Sequence, residues 1–191
     1  YANNGEPVDE QGGVIGAAGH PIVAESLAAE KAVRDSGVKS IILRAGYIYG
    51  SSSKGMQSVE NTLRSGRPVL TGDQPAAFIH EDDLAEAIFK AIETRPDVEL
   101  LNIVDDQAVS TRAFLAELAQ GMGVSMPNNV PGFLAGMFGG KTVQFMNTLG
   151  TAVSNAQAKE VLDWSPRFAT IQDGIADMSL SWRAAFTPEK Q

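Results

Sequence analysis

Apolar positions along this chain change their spacing several times, and each change predicts an element. PIVAESLAAEKAVRDSG, from Pro21 to Gly37, opens on Pro, has a dense Ala/Leu/Glu/Lys interior and closes on Gly, the asymmetry of a helix. SIILRAGYIYG follows, a run of β-branched and aromatic residues ending at Gly50 that predicts one buried strand. After the polar loop Ser51 to Ser53, a helix is predicted from Met56 to Ser65, then a short strand or turn in GRPVLTGDQ. FIHEDDLAEAIFKAIETRP predicts a helix with acids at its start, Leu84, Ala87, Ile88 and Ala91 on one face and a Pro stop. VELLNIV predicts a second buried strand, Ser110 opens a helix running through Ala119, and NAQAKEVLDWSP and IQDGIADMSLSWRAAF predict two closing helices. Helices interleaved with apolar strands imply an α/β architecture.

Two stretches carry no sustained period. The first twenty residues are rich in Gly, Asn and Pro and predict a loop. Gly121 to Thr151 is rich in Gly, Pro, Met and Phe, a composition often found over pockets. Met122, Met126, Phe133, Phe138 and Phe145 either line such a pocket or pack a core.

Composition narrows the function classes. With 43% apolar and 20% charged residues over 191 positions, the chain can bury a core. Its net charge of -8, from 15 basic and 23 acidic residues, opposes binding to nucleic acid or anionic membrane, because Lys54, Arg64 and Arg67 are its densest basic stretch. The absence of cysteine excludes disulfides and thiolate chemistry, and no apolar run approaches a membrane span, so a cytoplasmic protein is expected. His80 beside Glu81, Asp82 and Asp83 invites a metal or acid/base reading, but acids at a helix start are explained by the helix dipole. No metal site is expected.

Four blocks together resemble the extended short-chain dehydrogenases, the NAD-dependent epimerase/dehydratase family. They are SLAAEKAV with SIILRAGYIYG, FIHEDDLAEAIFKAIE, LLNIVDDQAVSTRAFLAELAQGMG, and SNAQAKEVLDWSPRFATIQDGI. The resemblance covers roughly residues 20–180 and is to the C-terminal portion of that family. It implies a partial Rossmann-like doubly wound parallel sheet from residues 1–50 and 82–108, and a small α/β substrate-binding domain from 51–81 and 109–191. It also implies that Ala45, Gly46, Tyr47 and Ile48 meet the nicotinamide end of NAD or NADP, and that Lys54, Ala76 and Phe78 lie on the substrate side. LDWSP is similar to the family's structural Leu-Gly-Trp-x-Pro block, with Asp163 in place of Gly.

The departures from the family are as informative. Its proton chemistry uses Tyr followed four residues later by Lys, because the ammonium lowers the phenol pKa. In the matching helix Ile22 and Ser26 occupy those slots, and the residues four after Tyr1, Tyr47 and Tyr49 are Gly5, Ser51 and Ser53, so no catalytic residue is assigned. Gly16 and Gly19 in VIGAAGHPIV make a poor dinucleotide turn: only Val14 and Ile15 precede as strand, and Ile22 stands in the third Gly position. The family's cofactor half would precede Tyr1, so the missing strands are expected from a longer gene product or another protein chain, a homodimer included. NAD or NADP is expected in that longer parent, with no tight binding by this chain alone. Where nucleotide-sugar members place a diphosphate-binding Arg, this chain has Ala76 or Ala77, and Lys141 is the single cation between Pro127 and Val153, which favours a smaller or more apolar ligand. Two functions fit: an epimerase/dehydratase-type oxidoreductase acting on a small or sugar-like substrate, or a non-catalytic cofactor- or metabolite-binding sensor or assembly protein.

Overall fold

In the computed structural model, which describes residues 6–12, 21–130 and 150–185, Gly46 divides the run from Ser40 to Gly50 into two strands with different partners. Strand β1 (Ile42–Ala45) pairs in parallel with β5 (Leu100–Ile103), placing Ile42 opposite Leu100 and Ala45 opposite Ile103. Strand β2 (Tyr47–Tyr49) pairs in parallel with β4 (Phe78–His80), placing Tyr47 opposite Phe78. The switch requires glycine, because a Cβ at Gly46 would stand 2.9 Å from the Ala77 carbonyl oxygen and from the Phe78 backbone. The Gly46 amide still donates to Ile103 O at 3.0 Å, while the Tyr47 amide has turned to Ala77 O at 2.8 Å. Asp105 N closes the joint on Phe78 O at 2.7 Å.

The single buried strand expected here is therefore corrected. Tyr47 is 39% exposed and Ile48 46% exposed, and only Tyr49 and Gly50 at the end of the run are buried. FIH, expected as the start of a helix, is β4, and helix α3 begins after it (Glu81–Thr94). Its inner face is Ala87 and Ala91 with Leu84 partly covered, whereas Ile88 is 42% exposed.

Local signals set the other boundaries. Helix α1 (Pro21–Asp35) carries a Glu30–Arg34 pair one turn apart and is followed by Gly37 at φ +69. Helix α2 (Lys54–Arg64) is capped by Ser53, which accepts from Met56 N. A two-residue strand β3 (Pro75–Ala76) pairs antiparallel with β6 (Val109–Ser110). Ser110 then caps α4 (Thr111–Met122), accepting from Ala113 N at 3.1 Å, and the helix ends at Gly123 with φ +68. Helices α5 (Ala156–Leu162) and α6 (Ile171–Ala185) follow.

Two hydrophobic clusters form. One gathers Tyr49, Phe78, Phe114, Leu118, Ile171, Ile175 and Met178, with Met122 and Met126 packed against it, so those two methionines serve a core. The other gathers Ile79, Ala87, Leu101, Ile103, Leu162 and Trp164 beneath α3 and α5. Ala158, Leu162 and Trp164 thus join the parallel sheet rather than the α4–α6 lobe. Full burial of each large apolar side chain contributes about 1.5–3 kcal/mol. Gly16, Gly19, Phe133, Phe138, Lys141 and Phe145 lie outside the described residues.

The two edges of the β1–β5 sheet end differently. On the outer side of β5, the Asn102 amide donates to Glu10 Oε1 at 2.7 Å, the Val104 carbonyl accepts from Asn155 Nδ2 at 2.7 Å, and Asn102 Nδ2 reaches Ser154 O at 3.3 Å. On β1 the Ile42 and Gly46 amides turn inward to Glu99 O and Ile103 O, so strand alternation turns Leu43 and Ala45 outward. No described residue forms a ladder with that outer edge.

Candidate functional site

Arg44 is a charged residue inside an apolar strand, and such a residue needs a partner to lie against a sheet. The partner is Glu30 on α1: Arg44 Nε donates to Oε1 and Nη2 to Oε2, both at 2.7 Å, a bidentate pair. The Arg44 hydrogen bond holds the Glu30 carboxyl below its usual range, and Arg34 adds to the effect. This pair tethers α1 above β1, and between helix and strand lies a cleft of about 930 Å³.

Val23 and Leu27 of α1 line one wall, Leu43 and Ala45 of β1 the other, and Gly46, Tyr47, Ala76 and Ala77 close the end. Ser26 also faces the cleft. The cleft runs the length of β1, and its Gly46, Tyr47, Ala76 and Ala77 end lies past the carboxyl end of that parallel strand, where an open α/β sheet takes its ligand. Arg44 and Glu30 line it as a mutually neutralised pair. Burial pushes the Tyr47 phenol above its ordinary pKa, so near neutral pH it is a neutral hydrogen-bonding group.

The structure brings together Ala45, Gly46, Tyr47 and Ala76 in this one cleft. Ile48 stands half-exposed beside it, on β2, and does not line it. Lys54 is exposed at the start of α2, also outside the lining. Phe78 does not line the cleft: it is 4% exposed and stacks on Phe114 at 4.4 Å, with the Tyr47 ring leaning on it at 5.7 Å. Phe78 supports Tyr47 from within. Ser26, in the Lys slot, reaches the cleft; Ile22 lies in α1, its side chain outside the description.

Sequence reasoning missed Glu30 and Arg44, although an arginine within IILRAG signals a required acidic partner. It also missed the second use of the acidic helix start. Asp83 is buried and accepts from the Arg167 and Phe168 amides, both at 2.9 Å, so it holds the loop before α6 rather than only facing the dipole. His80 is the N-cap of α3, its Nδ1 accepting from Asp82 N at 3.3 Å. Among the described residues no group of three or more metal-ligating side chains is placed to hold an ion, and no helix is long and apolar enough to cross a membrane.

No family model matches the chain, and no curated protein does. Solved structures do. A human epimerase family protein crystallised with NADPH superposes with a TM-score of 0.77 at 17% identity, over 94% of this chain and 61% of that one. A functionally unknown conserved protein from Silicibacter pomeroyi gives 0.71 at 20% identity, over 98% and 63%. UDP-glucuronic acid 4-epimerase from Bacillus cereus, in complex with NAD, gives 0.67 at 18% identity, over 95% and 57%. The chain thus has the α/β, Rossmann-like fold of epimerase-type proteins and spans about three fifths of the length of those it matches.

Proposed function

We propose that the chain is the carboxyl-terminal portion of a nicotinamide-nucleotide-binding protein of the epimerase/dehydratase type. The observation that carries this is the outer edge of β1, which turns Leu43 and Ala45 toward a cleft that runs along the strand to Gly46 and Tyr47 at its carboxyl end. In this reading a further parallel strand, from the amino-terminal half of a longer product or from another chain, pairs with β1 beneath α1. Ala45, Gly46 and Tyr47 then face the nicotinamide, with Ile48 at the rim. Small side chains at Ala45, Gly46, Ala76 and Ala77, at the end of the cleft where β1 finishes, suit the close approach of a flat ring. NADPH in the human protein and NAD in the Bacillus cereus enzyme support NAD or NADP as that group. When bound, a nicotinamide supplies hydride chemistry.

The substrate is small or sugar-like. Apolar walls, a neutralised Arg44 and alanines at positions 76 and 77 offer little to a diphosphate.

One observation favours a non-catalytic member. Ser26 lines the cleft where a Lys would lower a phenol pKa, and Tyr47 is shifted the opposite way by burial. The residues present bind and orient; Ile22 and Ser26, in the Tyr and Lys slots of α1, form no proton-transferring pair.

The test is titration of NADH and NADPH into the native gene product by nicotinamide fluorescence, beside the variant Ala45→Trp. Saturable binding of one cofactor, weakened at least about tenfold (about 1.4 kcal/mol) by Ala45→Trp with unchanged circular dichroism, supports the reading. No saturable binding by the native product overturns it. Cofactor turnover with a substrate panel would overturn the non-catalytic reading alone.

A further inference from the structure

Outside the cleft, a buried polar group joins the two hydrophobic clusters. Tyr49, at the end of β2, donates its hydroxyl to Asp105 Oδ2 at 2.9 Å. Asp105 follows β5, is buried, and also accepts from the His80 amide. The His80 ring meets Tyr49 edge-on at 5.2 Å and leans on Phe168 at 4.2 Å. His80 Nδ1 accepts from Asp82 N, which leaves Nε2 as the ring's donor. His80 Nε2 and Asp105 Oδ1 are both buried without a hydrogen-bond partner among the described residues. On the other side Gly174 of α6 packs so closely that a side-chain carbon there would collide with the Tyr49 hydroxyl. The phenol is thus held between Asp105 and α6.

The charges facing this point are mostly negative. Asp83 lies on α3, Asp106 on the loop beside Asp105, and Asp173 on α6. Of the nearby cations, Lys159 is engaged with Asp106, and Arg167 lies over the Phe168 ring while bonding Asp177. No described cation pairs with Asp105.

We propose that Asp105 is a proton-operated latch between the parallel sheet and the α4–α6 lobe. Protonated, the carboxyl holds Tyr49 in a closed, uncharged junction. Ionised, it leaves a negative charge in that junction, faced by Asp83, Asp106 and Asp173, and α6 loosens from β2. Burial first pushes the Asp105 pKa from 3.8 up to about 7; the Tyr49 and His80 hydrogen bonds oppose this by favouring the carboxylate, and Asp83 and Asp106 add to the rise. The stabilising proton is therefore fully effective below 3.8 and is lost as pH rises through about 7. The proposal is independent of what the cleft binds.

Amide hydrogen exchange on the chain between pH 6 and 8, corrected for intrinsic rates, tests it. Protection of α6 should fall about tenfold relative to β5 across that range in the wild type, and Asp105→Asn, which keeps an acceptor for Tyr49 without charge, should abolish the fall. A pH-independent α6, or an equal fall in Asp105→Asn, overturns the latch. Carboxyl carbon NMR of the wild type needs no variant: a midpoint for Asp105 near 7 supports the proposal, and one below 5 overturns it.

Discussion

The two edges of the β1–β5 sheet are built from the same kind of strand and finished in opposite ways. Along β5 the outward amide and carbonyl groups are met by side chains, Glu10 on Asn102 N and Asn155 on Val104 O. Along β1 the outward groups of Leu43 and Ala45 face a cleft, with α1 held over it by one bidentate ion pair. Side chains that cap a strand edge terminate a sheet, whereas an edge without them is a place for another strand. The contrast locates which edge is closed by side chains and which is left without such caps among the described residues.

The largest expected effect separates the inner and outer faces of β1. Gly46 donates its amide to Ile103 O, and Ala45 turns its amide outward. Gly46→Pro removes a ladder bond and drives a ring into the Ala77–Phe78 backbone, which should cost roughly 3 kcal/mol or more in urea unfolding. Ala45→Pro should cost under about 1 kcal/mol, since proline is tolerated where the amide points away from the ladder. Equal costs would mean that the outer edge is already paired, and the strand-receiving reading would fail.

Next in size is the capped edge. Asn155 Nδ2 serves both Val104 O and Asp106 Oδ1 at 2.7 Å. Asn155→Ala leaves a buried carbonyl without a donor and should lower stability by about 2 kcal/mol. Loss of less than about 0.5 kcal/mol would show that the cap is dispensable and that the edges differ less than their geometry implies.

A smaller effect concerns the tether over the open edge. Glu30 has its pKa lowered by Arg44, so its contribution is present above the ordinary carboxylate value and is lost as pH falls through the lowered one. Both side chains keep some solvent contact, which limits the gain to about 1 kcal/mol. Glu30→Gln should flatten this acid limb of the stability–pH curve while leaving the curve above pH 6 parallel to wild type. An unchanged acid limb would mean that α1 is held by packing alone.

These contrasts also show what the sequence could reveal. Helix limits were legible at Ser110 and Gly37, because caps are local chemistry. The change of partner at Gly46 was not, since it depends on a backbone approach by Ala77 and Phe78, far along the chain. Phe78 looked like a site residue next to Ala76 and Ala77, but every residue of β4 is buried and its ring stacks on Phe114, a partner far along the chain. Ile88 shares a helical stripe with Ala87 and Ala91, yet the cluster beneath α3 covers only the narrower part of that stripe. Periodicity names the apolar positions; the amount of sheet underneath decides which are buried.

The finest test lies beside the capped edge, where α5 must stop for Trp164 to enter the core. Asp163 ends the helix at φ +46, its amide bonded to Lys159 O, and Trp164 beyond it is buried. That left-handed conformation is strained for a side chain with a Cβ and free for glycine, so the glycine of the similar Leu-Gly-Trp-x-Pro block has a backbone reason. Aspartate tolerates it better than most residues, and glycine loses more entropy on folding, so the two effects largely offset. Asp163→Gly should therefore stabilise the chain by about 0.5 kcal/mol, raising Tm by roughly 1–2 °C. A decrease in Tm would mean that the Asp163 carboxylate makes a contribution that outweighs its backbone strain, and the departure from glycine would then be a gain in this chain rather than a tolerated cost.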